Sequence, residues 1–316
     1  MTAPVADPDP VDVAVIGAGV VGCAIARELS AAGASVCLVE ARCDLGDGTS
    51  KANTAILHTG FDASPGTLES RLVARGYELL SAYAARAGIA VEATGAILVA
   101  WTDEELDALP GLQDKAVRNG YVETALLPAA GVYAAVPDLG PGVRGGLSVP
   151  GESIIDPWSV TLAYANDAVA AGATLLCNRR VTGMRQFDDV TILETSGGDV
   201  AASWVVNAAG LGADGLDRMF CHDRFTVTPR RGELIVFDKL ARPMAPVIVL
   251  PVPSSRGKGV LVSPTIFGNV MVGPTAEDLD DPRDTSTSEA GLAYLREKLA
   301  AIMPGLLTEE VTATYA

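Results

Sequence analysis

The chain of 316 residues is long enough for a sizeable core and about two domains, and 49% hydrophobic residues with only 5% aromatic suit a globular α/β protein. A formal net charge of −16 argues against nucleic acid or an anionic membrane surface as a partner. The five cysteines (Cys23, Cys37, Cys43, Cys177, Cys221) form no CxxC pair and no zinc or iron–sulfur spacing, so no metal is expected.

Residues 1–10 are polar and proline-broken and read as a loose tail without a signal peptide. The short apolar run Val13–Ile16 then leads into Gly17-Ala18-Gly19-Val20-Val21-Gly22. A helical stretch to about Ala32 follows, then Gly33 and a second apolar run, Ser35–Val39, that ends at Glu40. Strand, glycine turn, helix, strand and acid form the βαβ unit that holds the adenosine end of a dinucleotide. Gly17 permits the tight turn, Gly19 lets backbone approach a pyrophosphate, and Gly22 lets the helix lie close on the strands. The helix N-terminus offers N–H groups and partial positive charge to phosphates. Glu40 can accept from a ribose diol, and its charge repels a 2′-phosphate. Gly17, Ala18, Gly19, Val21, Gly22, Glu40, Ala41 and Arg42 are therefore the expected first half of a cofactor site.

A polar loop covers 44–53, and a helix is expected over 67–87, with Leu68, Leu72, Val73, Leu79 and Leu80 on its apolar face. Residues 95–101 read as a strand, and Thr102 as the cap of a helix with Asp103, Glu104 and Glu105 in its first turn. The Gly/Pro-dense stretch 137–151 reads as a crossing between layers or domains, and Pro157 as the start of a helix to about Ala171. Strands are expected at 174–177, 181–187, 190–195 and 204–207, completing the nucleotide domain begun at the N-terminus. Further strands at 233–237, 247–250, 259–263 and 269–272 belong to a second, β-rich domain. The expected fold is thus α/β: a discontinuous Rossmann-like domain (11–87 and 150–225) interleaved with an antiparallel β-rich substrate domain (88–149 and 226–316). The segment Asn207-Ala208-Ala209-Gly210 closes a buried strand with small residues, which lets backbone pass close beside a bulky ligand.

Taken together these stretches resemble the FAD-dependent oxidoreductases of the D-amino-acid-oxidase/glycerol-3-phosphate dehydrogenase superfamily. Within it the chain is most similar to anaerobic-type glycerol-3-phosphate dehydrogenases and L-2-hydroxyglutarate dehydrogenases. The resemblance rests on residues 50–60 (SKANTAILHTG), 65–68, 207–210, 231–234 and 257–265, with Gly268-Asn269 and Gly273-Pro274. It implies FAD as cofactor. Thr49, Ser50 and Asn53 would then line its pyrophosphate and flavin side, Val181 the adenine end, and Ala208, Ala209 and Gly210 the second flank. It places His58 near the flavin ring. Relatives often carry glycine where Ala55 stands. They also continue past a strand such as 311–315 into a glycine-rich segment that closes over the flavin, whereas the sequence as given ends at Ala316.

The implied chemistry is hydride removal from a carbon bearing OH or NH, which asks for a base with a pKa near neutrality. Of the two histidines, His222 lies in a polar turn, while His58 ends an apolar run inside the family-like stretch. Arg231 and Lys258 are the basic residues inside matched stretches, and suit a carboxylate or a phosphate. The expected activity is therefore oxidation of a small anionic secondary alcohol, glycerol 3-phosphate or an L-2-hydroxy acid such as 2-hydroxyglutarate. His58, Arg231 and Lys258 would carry it, and electrons would pass to a quinone, oxygen or a partner flavoprotein. Two alternatives stay open: an amino-acid or amine oxidase on the same fold, and a truncated, catalytically silent flavin-binding piece that binds a partner or completes its flavin site in an oligomer. The scattered cysteines fit a reducing cytoplasm.

Overall fold

A computed structural model of the protein describes residues 10–253 and 259–316. The expected tail falls on residues 1–10 and, except for Pro10, lies outside the described residues, as do Arg256 and Lys258. The chain divides into two compact units, Met1–Asn53 with Pro157–Pro229, and Thr54–Asp156 with Arg230–Ala316.

The first unit is built on a six-stranded sheet in the order Val181–Phe187, Val190–Thr195, Val200–Asn207, Val11–Ile16, Val36–Val39, Thr174–Leu176. Val11–Ile16 pairs in parallel with both Val200–Asn207 and Val36–Val39, the arrangement that the glycine-turn reading requires. The returning strand begins at Val200, earlier than the expected 204, because Thr191, Ile192 and Leu193 pair with residues 200–202. The helix Val20–Ala31 turns its small side chains inward, and Cys23 and Ala26 pack with Ala165 and Ala168 of the helix Pro157–Ala170.

The second unit carries an eight-stranded sheet in the order Val311–Tyr315, Leu234–Phe237, Val270–Gly273, Leu261–Pro264, Ile248–Pro251, Ala96–Ala100, Gly145–Val149, Ala125–Pro128. Only the pairing of Ile248–Pro251 with Ala96–Ala100 is parallel. The helix Glu289–Ile302, absent from the sequence reading, buries Leu295 and Leu299 with Ile97, Val99, Ile235 and Phe237. The helix Asp103–Arg118 starts on a complete capping box between Thr102 and Glu105.

Two expectations need correction. The stretch 137–151, read as a crossing, contains the internal strand Gly145–Val149. A Cβ at Gly146 would lie 2.8 Å from Leu98 O and 2.9 Å from Val132 Cγ2, so glycine here admits a neighbouring strand and helix instead of breaking the element. The nucleotide domain also ends earlier than residue 87. Ile56 and Leu57 pair with Ile154 and Ser153, and Ile155 N–H donates to Ala55 O at 3.0 Å. Those pairings bind residues 54–87 and 150–156 into the second unit.

All five cysteines are free thiols. Burial pushes Cys23 up to about 12 and Cys37 up to about 11, whereas Cys43 and Cys221 are exposed. A thiol reagent at neutral pH should therefore modify Cys43 and Cys221 first in the native protein and reach Cys23 and Cys37 only on denaturation. Timed titration with mass mapping checks this; equal reaction rates at all five positions would contradict the packing. Among the described residues no helix is long and apolar enough to cross a membrane.

Candidate functional site

The glycine turn is shaped by backbone contacts that exclude a side chain. Gly17 has a φ of 103°, in the left-handed region that favours glycine, and a Cβ there would come within 2.5 Å of Ala208 O. A Cβ on Gly22 would stand 1.8 Å from Gly17 O. Gly19 differs: among the described residues an added Cβ meets only Ser50 Oγ, at 3.1 Å. It is the N-cap of the helix Val20–Ala31 and has no side-chain cap of its own. Val20 N–H donates to Ser50 Oγ at 2.9 Å. Open space above Gly19, at the positive end of a helix, is what a pyrophosphate needs.

At the far end of the turn, Glu40 Oε2 accepts from Ala18 N–H and Oε1 from Arg42 N–H, both at 2.8 Å. These bonds fix the carboxylate, and each oxygen keeps a second lone pair for a ribose diol. The Arg42 side chain is ion-paired with Asp47. Arg179 N–H donates to Glu40 O and Asn178 N–H to Arg42 O, which brings the chain leading to Val181 beside Glu40, Ala41 and Arg42. Ala208 N–H donates to Ile16 O at 2.9 Å, and Gly210 turns the chain away at a φ of 56°. In the loop before the boundary, Asn53 Nδ2 donates to Ser50 O at 2.8 Å, and Ala52 N–H to Thr49 O. Val21 is exposed on the first turn of the helix. The first unit thus brings together every residue expected to hold the cofactor, and the cradle fits an adenosine dinucleotide.

The second unit contains a cavity of about 200 Å³, mostly apolar, whose lining includes Thr54, His58, Phe61, Asp62, Leu98, Leu250, Leu261 and Pro274. His58 follows the short strand Ile56–Leu57, and Ala55 before it has a φ of 54°, in the left-handed region that favours glycine. The His58 side chain is 35% exposed, enough to exchange a proton with a ligand. Its Nδ1 stands 2.8 Å from Oε2 of Glu152, which is fully buried. The pair stands at ion-pair distance, although the ring N–H is not aligned on that oxygen. Glu152 Oε1 accepts from Thr59 N–H (2.8 Å) and Thr59 Oγ1–H (2.7 Å). Sequence reading missed Glu152. It lies in the Gly/Pro-dense stretch, 94 positions from His58, and its only local signal is an acid directly before the apolar strand Ser153–Ile155.

The second histidine, His222, is largely solvated beside Asp217 and Arg224. Arg231 corrects an expectation. Its side chain is 8% exposed and faces Glu233, Glu277 and Asp284 at 3.3, 2.6 and 3.1 Å, with Ser286 O accepting at 3.1 Å. Hydrogen bonding to Glu277 holds the guanidinium firmly charged. Glu233 is itself fully buried and accepts from Ser288 N–H and Oγ–H, at the cap of the helix Glu289–Ile302. A guanidinium engaged by three carboxylates ties strands and helix together and is not available to a substrate anion. Arg231→Gln should lower the thermal unfolding midpoint and leave KM for the substrate unchanged. A large KM increase in a normally stable variant would return Arg231 to the substrate site. Lys258 lies outside the described residues, but Pro253 and Gly259, on either side of residues 254–258, both line the cavity. Among the described residues no cluster of His, Cys, Asp and Glu could hold a metal ion.

A two-part chain with a glycine-turn βαβ unit in a mixed sheet, a cradle for an adenosine dinucleotide and a separate β-rich unit whose cavity includes a histidine has the build of a flavoprotein oxidoreductase. Residues 12–316 match the family described as DAO, FAD dependent oxidoreductase, and the chain belongs to that family, whose cofactor is FAD. It is 36% identical over 286 residues to a glycerol 3-phosphate dehydrogenase of Caloramator mitchellensis, covering 90% of this chain and 60% of that protein. It is 28% identical over 284 residues to human mitochondrial L-2-hydroxyglutarate dehydrogenase, covering 84% of this chain and 60% of the relative. Among solved structures, the L-α-glycerophosphate oxidase of Mycoplasma pneumoniae with FAD bound superposes with a TM-score of 0.91 at 29% identity, over 98% of this chain and 82% of the other. The chain therefore spans about 60% of the length of the Caloramator relative.

Proposed function

We propose that this protein is an FAD-dependent dehydrogenase that oxidises a small anionic secondary alcohol, glycerol 3-phosphate or an L-2-hydroxy acid such as 2-hydroxyglutarate. The observation that carries the reading is His58, partly exposed in the wall of a mostly apolar cavity, in a chain related to enzymes named for these two substrates. Gly17, Gly19, Gly22, Glu40, Ser50 and the Ala208–Gly210 turn hold the cofactor, which when bound supplies the hydride acceptor. His58 accepts the substrate hydroxyl proton, as an imidazole base suits at neutral pH. Apolar neighbours such as Phe61, Leu98 and Leu261 limit water around the reacting carbon. Lys258, next in sequence to the cavity residue Gly259, holds the anionic end. A quinone, oxygen or a partner flavoprotein takes the electrons, and the free thiols support a cytoplasmic setting.

A substrate panel under air and with an added artificial electron acceptor tests the reading. The expected result is a keto product from glycerol 3-phosphate or L-2-hydroxyglutarate and no ammonia from amino acids. Ammonia release with a silent hydroxy-acid panel would make the protein an amino-acid oxidase instead.

A further inference from the structure

We propose that Glu152 is the positioning residue for His58, fixing the ring's proton on Nδ1 so that Nε2 is the acceptor that meets the substrate hydroxyl. The inference rests on the base role given to His58 above.

Glu152 is fully buried, and its surroundings are built to keep it as an acceptor. One oxygen takes two donors from Thr59, the backbone N–H and the hydroxyl, and the other lies 2.8 Å from His58 Nδ1. The loop that carries Glu152 is held from both sides. Gly151 N–H donates to Tyr121 Oη at 2.6 Å, and Tyr77 Oη donates to Gly151 O at 2.9 Å. Gly95 N–H donates to Glu152 O at 2.9 Å. A Cβ at Gly151 would stand 2.6 Å from Tyr121 Oη and 3.0 Å from Thr59 Cγ2, so Tyr121 and Thr59 pack directly against the loop backbone and leave no room for a side chain. A carboxylate this buried is costly unless each oxygen meets a donor. Thr59 satisfies the first oxygen, and for the second His58 Nδ1–H is the donor at hand.

A neutral imidazole carries one N–H, so a proton held on Nδ1 leaves Nε2 as the acceptor. When Nε2 takes the hydroxyl proton, the imidazolium that forms stands against the fixed Glu152 carboxylate. This is the logic of the buried aspartate in hydrolase triads, which orients a histidine without taking its proton.

The substitution Glu152→Gln makes the inference testable. Thr59 N–H requires an acceptor, so the Gln amide oxygen must face Thr59 and its NH₂ must face His58 Nδ1. Nδ1 would then have to accept, and the ring proton would move to Nε2, the wrong atom for a base. The protein has two histidines, so ¹⁵N-histidine NMR resolves both rings, and His222→Ala assigns them. In the wild-type protein at a pH where His58 is neutral, its Nδ1 should show the protonated signature and Nε2 the unprotonated one. The two should exchange in Glu152→Gln. Flavin reduction in that variant should fall about 10²–10⁴-fold, the range lost with a misplaced base, with the loss in the reduction rate at saturating substrate and KM little changed.

A wild-type His58 protonated on Nε2 would overturn the inference, as would an unchanged tautomer and rate in a folded Glu152→Gln. The NMR measurement needs neither substrate nor the variant's stability. A correct tautomer combined with normal reduction in His58→Ala would instead overturn the base reading and leave the histidine–carboxylate pair standing.

Discussion

His58→Ala should bind flavin normally and be reduced by substrate about 10²–10⁴-fold more slowly than the wild type, the usual cost of removing a general base. Only the proton transfer should suffer. His58 stands in the second unit, in a cavity wall otherwise formed largely by apolar side chains, and the glycine turn, Glu40 and Ser50 belong to the first unit. Alanine removes a side chain that is already 35% exposed, so the fold should tolerate the change. Glu152 then loses the neighbour of one buried oxygen, and a modest fall in unfolding temperature is expected beside the kinetic loss. Stopped-flow reduction under anaerobic conditions separates the two effects. An unchanged reduction rate would transfer the base role to another group, or show that reduction here needs none.

Gly19→Val should give a folded protein without flavin, and Gly22→Ala a protein that does not reach the native fold. The two glycines lie three positions apart and fail for different physical reasons. Among the described residues a Cβ at Gly19 meets only the Ser50 hydroxyl, at 3.1 Å, so a side chain there is accommodated by the fold but fills the space a pyrophosphate needs. A Cβ at Gly22 would be driven into Gly17 O at 1.8 Å, a backbone atom that cannot move without opening the turn between strand and helix. Circular dichroism and flavin content together distinguish the outcomes. Full flavin in Gly19→Val, or a native-like spectrum in Gly22→Ala, would contradict the cradle.

The nucleotide unit was legible because its function is written in local rules. A glycine with φ near 103°, a small residue every turn of the first helix and an acid at the end of the second strand must occur at fixed spacing. The strands Val181–Phe187 and Val190–Thr195 likewise carry their own apolar signal and were read with their observed bounds. The substrate unit was harder to read, since its features depend on distant partners. Gly146 looks like a strand breaker until the strand Ala96–Ala100 and the helix Ala129–Ala135 are placed against it. Arg231 looks like an anion anchor until Glu233, Glu277 and Asp284 are folded around it. Glu152 reaches His58 only because the strands Ile56–Leu57 and Ser153–Ile155 pair, a contact that no spacing in the sequence announces. The family resemblance supplied His58 but not its partner.

Anaerobic mixing of the flavin-loaded protein with glycerol 3-phosphate or L-2-hydroxyglutarate, each carrying protium or deuterium on the hydroxyl-bearing carbon, tests the proposed activity most directly. The visible flavin band should bleach with one of the two compounds, more slowly with its deuterated form, and should not bleach with amino acids. Bleaching by an amino acid alone, or no bleaching by either hydroxy compound in protein that retains its flavin, would contradict it.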